Sequence, residues 1–209
     1  MTLLPSLIAF VGAAVIVIVT PGMDTALVLR TAAVEGPRRG LQATLGIGLG
    51  CLVWGGSVAL GLGAILTASH LAYSLVKWAG AAYLAYLGFR MLIRPREALT
   101  PAAGVPRDGG ALDALRRGLF CNLLNPKCGV FYVSFLPMFV PSGYPVAPFI
   151  FLLALIHVGL SVCWLGFLSA ATVPLSRVMG RPGVVRTLDR VTGAVFLGFS
   201  ARLALSEQS

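Results

Sequence analysis

Charge is what this sequence has least of. Asp, Glu, Lys and Arg make up only 11% of its 209 residues, where an ordinary soluble domain carries about 25%. So few charges cannot cover a water-facing surface, and a soluble globular protein is excluded. Acid is scarcer than base, with 7 Asp and Glu against 16 Lys and Arg and a net charge of +9. That balance suits nucleic acid only where the cations cluster. Here the arginines sit between apolar runs, which argues against a nucleic-acid partner.

Cysteine and histidine are equally thin. Cys51, Cys121, Cys128 and Cys163 all fall inside apolar segments, so no exposed disulfide framework is written here. They read as buried free thiols acting as small hydrophobes. Cys121 and Cys128 share a helix face, but Lys127 beside them would repel a cation, so no metal site is expected. No clustered nucleophile, base or metal suggests an enzyme, and no cofactor is implied. The first apolar run lacks a basic leading segment and continues past any cleavage point, so it reads as a retained span.

Apolar residues are what the chain has in excess, 57% of the total, with a mean hydropathy of +0.90. A spanning helix needs about 20 of them, and the charges divide the chain into six such runs. The first reaches from the start to residue 29, interrupted by Asp24, and a polar turn 30–40 follows. Residues 41–76 are uncharged but too long for one span; a turn near Ser69-His70 gives a second helix near 41–67 and a third near 71–93. Three prolines, repeated glycine and mixed charge mark 94–116 as a linker. A fourth helix covers 118–139, interrupted at Asn125-Pro126-Lys127. A fifth covers about 147–172, a basic loop 177–186 follows, and a sixth runs about 187–205 with Arg190 and Arg202 snorkelling to opposite interfaces.

Arginine placement orients these spans. Arg30, Arg38 and Arg39, then Arg90 to Arg117, then Arg177 to Arg190 fall in alternate connections. Positively charged loops stay in the cytoplasm, which leaves both termini outside.

The two halves resemble one another. Lys77-Trp-Ala-Gly80-Ala-Ala-Tyr83-Leu-Ala-Tyr86 parallels Arg190-Val-Thr-Gly193-Ala-Val-Phe196-Leu-Gly-Phe199, and Thr20-Pro21-Gly22 parallels Asn125-Pro126-Lys127. The alternative is chance likeness in a small apolar alphabet. Three helices per copy make the second enter the membrane from the opposite side, the inverted-repeat plan of secondary transporters. The expected fold is therefore all-α, one polytopic membrane domain of six transmembrane helices in two inverted three-helix repeats. Repeat 1 covers 1–93, the linker 94–116 and repeat 2 117–209.

Pro21 and Pro126 each lie nine residues from a basic residue, Arg30 and Arg117. At 1.5 Å per residue that is about 13 Å, near the centre of a hydrocarbon core about 30 Å thick. Each proline removes a donor and frees an upstream carbonyl, which in lipid must face protein or a watery cavity. The half-helix N-termini beyond the breaks suit a substrate carboxylate, and a plain packing kink is the other reading.

Asp24 and Lys127 are ionisable groups at the same level, and intramembrane charge is a functional-site hypothesis by default. They are expected within reach of each other, either bridged by substrate or as a permanent ion pair. Asp24 and His157 are the proton-coupling candidates; His157, which shares a face with Ser161, has cross-helix hydrogen bonding as its alternative. Asn122 and Asn125 either bind substrate or mend freed backbone groups. Gly46 and Gly50 mark a close-packing seam, and Gly80 and Gly193 hold matching packing positions in the two repeats.

Several of these segments together resemble the LysE/RhtB family of amino-acid exporters. They are Thr20-Pro21-Gly22-x-Asp24, Gly46-x-Gly48-x-Gly50, Lys77-xx-Gly80-Ala-x-Tyr83-Leu-xx-Leu87-Gly88, Gly118-xxx-Asn122-xx-Asn125-Pro126-Lys127 and Phe135-Leu-Pro137-x-Phe139. They cover nearly the whole chain in order. The resemblance implies export of amino acids or close derivatives through the bacterial inner membrane, driven by the proton-motive force. Asp24 stands where many members carry Asn, which leaves its role open, and the homoserine/threonine/neutral branch fits better than the lysine/arginine exporters. Amino acid, protons and membrane lipid are the implied partners, with homo-oligomerisation left open. The rivals are a cation or heavy-metal permease and a membrane scaffold.

Overall fold

A computed structural model of the chain describes residues 2–68, 70–95, 110–171 and 181–205. All its elements are helical. α1 (Leu3–Val19) and α2 (Met23–Glu35) form the first bent pair, and α3 (Pro37–Ala68) and α4 (His70–Ile93) complete the first half. α5 (Ala111–Leu123) is followed by α6 (Pro126–Val130), which continues as a π turn (Phe131–Phe135) and a 3-10 turn (Leu136–Phe139). α7 (Val146–Ala170) and α8 (Pro182–Leu205) end the chain.

The polar turn expected over 30–40 is mostly helix. α2 runs on to Glu35 and α3 starts at Pro37, so the connection is Gly36 alone, with φ +92° and ψ 163°. Only glycine occupies that region without strain, and Pro37 is pre-set for a first helical position. The fourth helix likewise starts before residue 118. Ala111-Leu-Asp-Ala-Leu-Arg-Arg117 is rich in strong helix formers, and it is helical from Ala111. The sixth helix begins at Pro182, five residues ahead of expectation, again with proline at its start. Ser69, most of the linker 94–116 and Arg177 lie outside the described residues.

α3 up to Gly61 and α7 are each long and apolar enough to cross a membrane. The pairs α1–α2 and α5 to Phe139 also qualify if each is one span, bent by 52° and 56° respectively. α4 and α8 are not in that set.

α3 is the central post, packed on α5, α7 and α2, while α4 pairs with α8. In lipid, helices associate through close packing rather than a hydrophobic driving force, and small residues permit it. At Gly46 an added Cβ would collide with the Leu115 carbonyl, and at Gly118 with that of Ala43. Gly88 and Gly193 face one another in the same way: a Cβ on either would lie 2.7 Å from the other's carbonyl oxygen. At Gly80 the obstruction is the Ser134 side chain. A ladder of rings, Phe10, Phe131, Phe135, Phe139 and Phe199, fills the space between α1, the turns after α6 and α8, with centroids 4.0 to 6.4 Å apart. Pro137 lacks the N–H that would continue an α-helix, and the chain passes it as a π turn followed by a 3-10 turn.

Candidate functional site

The two helix breaks meet, and each is repaired differently. In α1, the N–H that residue 21 would give the Val17 carbonyl is missing because residue 21 is proline. The Lys127 ammonium supplies it: Nζ donates to Val17 O at 2.7 Å and to Thr20 O at 3.0 Å. The second break mends itself. Pro126 deprives Asn122 O of a donor, and the Asn125 N–H replaces it at 3.0 Å. The Asn125 side chain then caps the new helix, accepting from the Lys127 N–H at 3.1 Å.

A reciprocal tie runs from Asp24. It lies in the first turn of α2, where the helix dipole favours a negative charge. Its Oδ2 accepts from Asn122 Nδ2 at 2.9 Å, and the Cys121 and Cys128 thiols approach its two oxygens at 3.6 Å. Asn122 Nδ2 also reaches the Cys51 and Cys128 sulfurs, at 3.4 and 3.1 Å. Gly50 makes this possible, since a Cβ there would sit 2.6 Å from Asn122 Oδ1. Gly46 is thus a backbone seam, whereas Gly50 is a recess for the amide.

Between these ties lies a cavity of about 50 Å³, room for a few water molecules. Its lining includes Thr20, Asp24, Asn125, Lys127, His157 and Ser161. His157 is buried and bonds the Tyr132 hydroxyl through Nδ1 at 2.9 Å, beneath the Phe131 ring at 4.8 Å. The Thr20 hydroxyl bonds Ile16 O at 2.7 Å and meets that of Thr192 on α8. Outside the cavity Arg117 clasps Glu35 with two 2.7 Å bonds, joining the end of α2 to α5.

Of the substrate-site candidates, Thr20, Gly22, Asp24, Asn125 and Lys127 line the cavity; Pro21, Asn122 and Pro126 do not. The prolines act through the backbone they interrupt, and the Asn122 Nδ2 is turned toward Asp24 and two sulfurs. Both proton-coupling candidates, Asp24 and His157, reach the wall. The cysteines are free, but Cys163 is exposed rather than buried, and the other three gather around Asn122 and Asp24. Sequence reasoning passed over Thr192, Tyr132 and the buried Asp189. Hydroxyls and a phenol in apolar helices give no spacing signal, and Asp189 sat among loop charges. Among the described residues no group of three or more His, Cys, Asp or Glu could hold a metal ion.

Comparison with known proteins follows the same line. The LysE type translocator family matches residues 15–207. The leucine efflux protein of Klebsiella pneumoniae is 32% identical, over 94% of this chain and 93% of its own. An uncharacterized membrane protein of Pseudomonas aeruginosa is 33% identical over 96% and 95%, and one of Bacillus subtilis 28% over 96% and 99%. No solved structure matches. With two proline-broken helices locked together around a small cavity that holds Asp24 and Lys127, and a match over almost its full length, the chain is a membrane protein of the LysE type translocator family.

Proposed function

We propose that this protein exports neutral amino acids, leucine or close in kind, from the bacterial cytoplasm as a proton-driven secondary transporter of the inner membrane. One observation carries the reading: opposite charges, Asp24 and Lys127, line one cavity beside both helix breaks. A zwitterion needs such a pair of poles. Its carboxylate would meet Lys127, and its ammonium would meet Asp24 or the Val17 and Thr20 carbonyls that Lys127 releases. The leucine efflux relative supports the substrate class.

Six spans in two inverted repeats, 1–93 and 117–209 about the linker 94–116, complete the proposal. The similar bends of the two broken helices support it. So does the antiparallel course of α4 and α8, where Gly88 meets Gly193 and the Ser200 hydroxyl donates to Ala81 O at 2.8 Å. The basic loops would be cytoplasmic and the termini outside. Proton exchange at Asp24, with His157 as the other candidate, would couple the cycle, because a carboxylate neutralised by a proton lets its partner go.

The test is amino-acid efflux from overexpressing cells, with Lys127→Ala alongside. Intracellular leucine should fall with the wild type only. Unchanged amino-acid pools, with Lys127→Ala behaving as wild type, would sink the proposal.

A further inference from the structure

A second pocket, of about 250 Å³, adjoins the first. Gly22, Asn125 and Lys127 line both, so they form the partition between them. Beyond the partition the wall carries Arg90 and Arg94 from the end of α4, with Met23, Leu87 and Met91 between. Among the described residues this pocket has three cations on its wall and no carboxylate. Placement of arginine at a cytoplasmic helix end explains a basic rim. It does not explain a concavity that continues to an ammonium at the inner chamber.

We propose that this pocket is an outer carboxylate site, in which the substrate waits on Arg90 and Arg94 before Lys127 passes it inward. The inference rests on the exporter reading above. Guanidinium forks suit a carboxylate, and like charge in a concave site repels a cation. The pocket therefore admits zwitterions and turns away amino acids with a second positive charge. Lys127 is the latch. In the observed state it holds the Val17 and Thr20 carbonyls and the inner chamber is too small for leucine. A carboxylate arriving from the arginines competes for the ammonium, frees the latch and enters.

The test separates the pocket from the transport reading. In Met23→Cys, whose native side chain is half exposed on the pocket wall, the new thiol is labelled with anionic and cationic methanethiosulfonates in lipid nanodiscs and read by site-resolved mass spectrometry. The ratio of anionic to cationic rates should fall on the order of tenfold in Arg90→Gln/Arg94→Gln, the size expected for two unit charges across a watery pocket. Arg90→Lys/Arg94→Lys should keep it. Leucine should protect the thiol and leucinol, which lacks the carboxylate, should not. In efflux assays the Gln pair should raise the half-saturating leucine concentration several-fold at unchanged maximal rate, and admit lysine as a competitor.

Export of leucine with an unbiased label ratio, or with lysine still excluded by the Gln pair, overturns the outer site alone. Charge bias and leucine protection in a protein that exports no amino acid overturn the exporter reading and leave a carboxylate pocket. The same carboxylate-sized anion site could be filled by a lipid phosphate. Protection by anionic lipid in place of phosphatidylcholine, with none by leucine, overturns the substrate role.

Discussion

Replacing Lys127 with methionine should abolish export while leaving a folded protein, and a second substitution should show why. The side chain keeps its length but loses two charge-assisted bonds, to Val17 O at 2.7 Å and Thr20 O at 3.0 Å. Each such bond is worth about 1.5–3 kcal/mol. Against that, the variant no longer holds an ammonium in an apolar segment, which costs about 3 kcal/mol on insertion scales. The terms nearly cancel, so the net loss of stability should be no more than about 1–3 kcal/mol. What remains is a specific defect: Val17 O has no donor, because residue 21 is proline. Pro21→Ala lets α1 continue and offer one. In the Lys127→Met background it should recover about 1–2 kcal/mol, a few degrees of melting temperature in a chain this size. In the wild type it should recover nothing, since the carbonyl is already satisfied. The double-mutant cycle, measured by thermal unfolding in detergent, isolates that coupling. Leucine efflux should stay absent in both Lys127→Met variants. Additive melting shifts, with no coupling between positions 21 and 127, would refute the repair of the first break by the lysine.

Other substitutions probe neighbouring claims. Gly50→Ala should push Asn122 off Asp24 and cut efflux at least tenfold in a protein that still elutes as a monodisperse peak; retained efflux would count against the Asn122–Asp24 tie. Gly46→Val or Gly118→Val drives a side chain into a backbone carbonyl on the facing helix and should eliminate folded protein, read by fluorescence-detected gel filtration. Tyr132→Phe removes one bond to His157 and should cost about 1 kcal/mol; a changed pH profile of efflux would make His157 part of the coupling, an unchanged one a structural cross-link. Cys51→Ser, Cys121→Ser and Cys128→Ser should each keep leucine export; a wild type that moves no leucine but alters metal tolerance, an effect lost in these variants, would favour a metal permease.

The membrane class and the two breaks were legible because each is a violation of a simple rule. Too little charge for a soluble surface, and proline in the middle of an apolar run, are visible in one dimension. Helix limits at the polar segments were misjudged for a related reason. Arg30 and Ala111-Leu-Asp-Ala-Leu look like loop by charge, yet their helix propensity is high and Gly36 alone can turn the chain. Asp24 and Lys127 stood out as charges out of place, but their partners did not. Lys127 bonds main-chain carbonyls, which no side-chain pattern can announce, and the thiols around Asn122 come from α3, α5 and α6. The recess at Gly50 was read as a seam like Gly46, because a helix-helix contact and an amide pocket demand the same small residue.

The unequal repair of the two breaks bears on how the chain is made. The second break needs only Asn122 and Asn125, its own neighbours, so it is complete as soon as it is synthesised. The first waits for an amine 107 positions later, and ribosomes add about 5–20 residues per second. For roughly 5–20 seconds the nascent α1–α2 pair has bare carbonyls at its bend. An N-terminal fragment ending before residue 127 never escapes that condition, and membrane quality-control proteases would meet it as an unfinished helix.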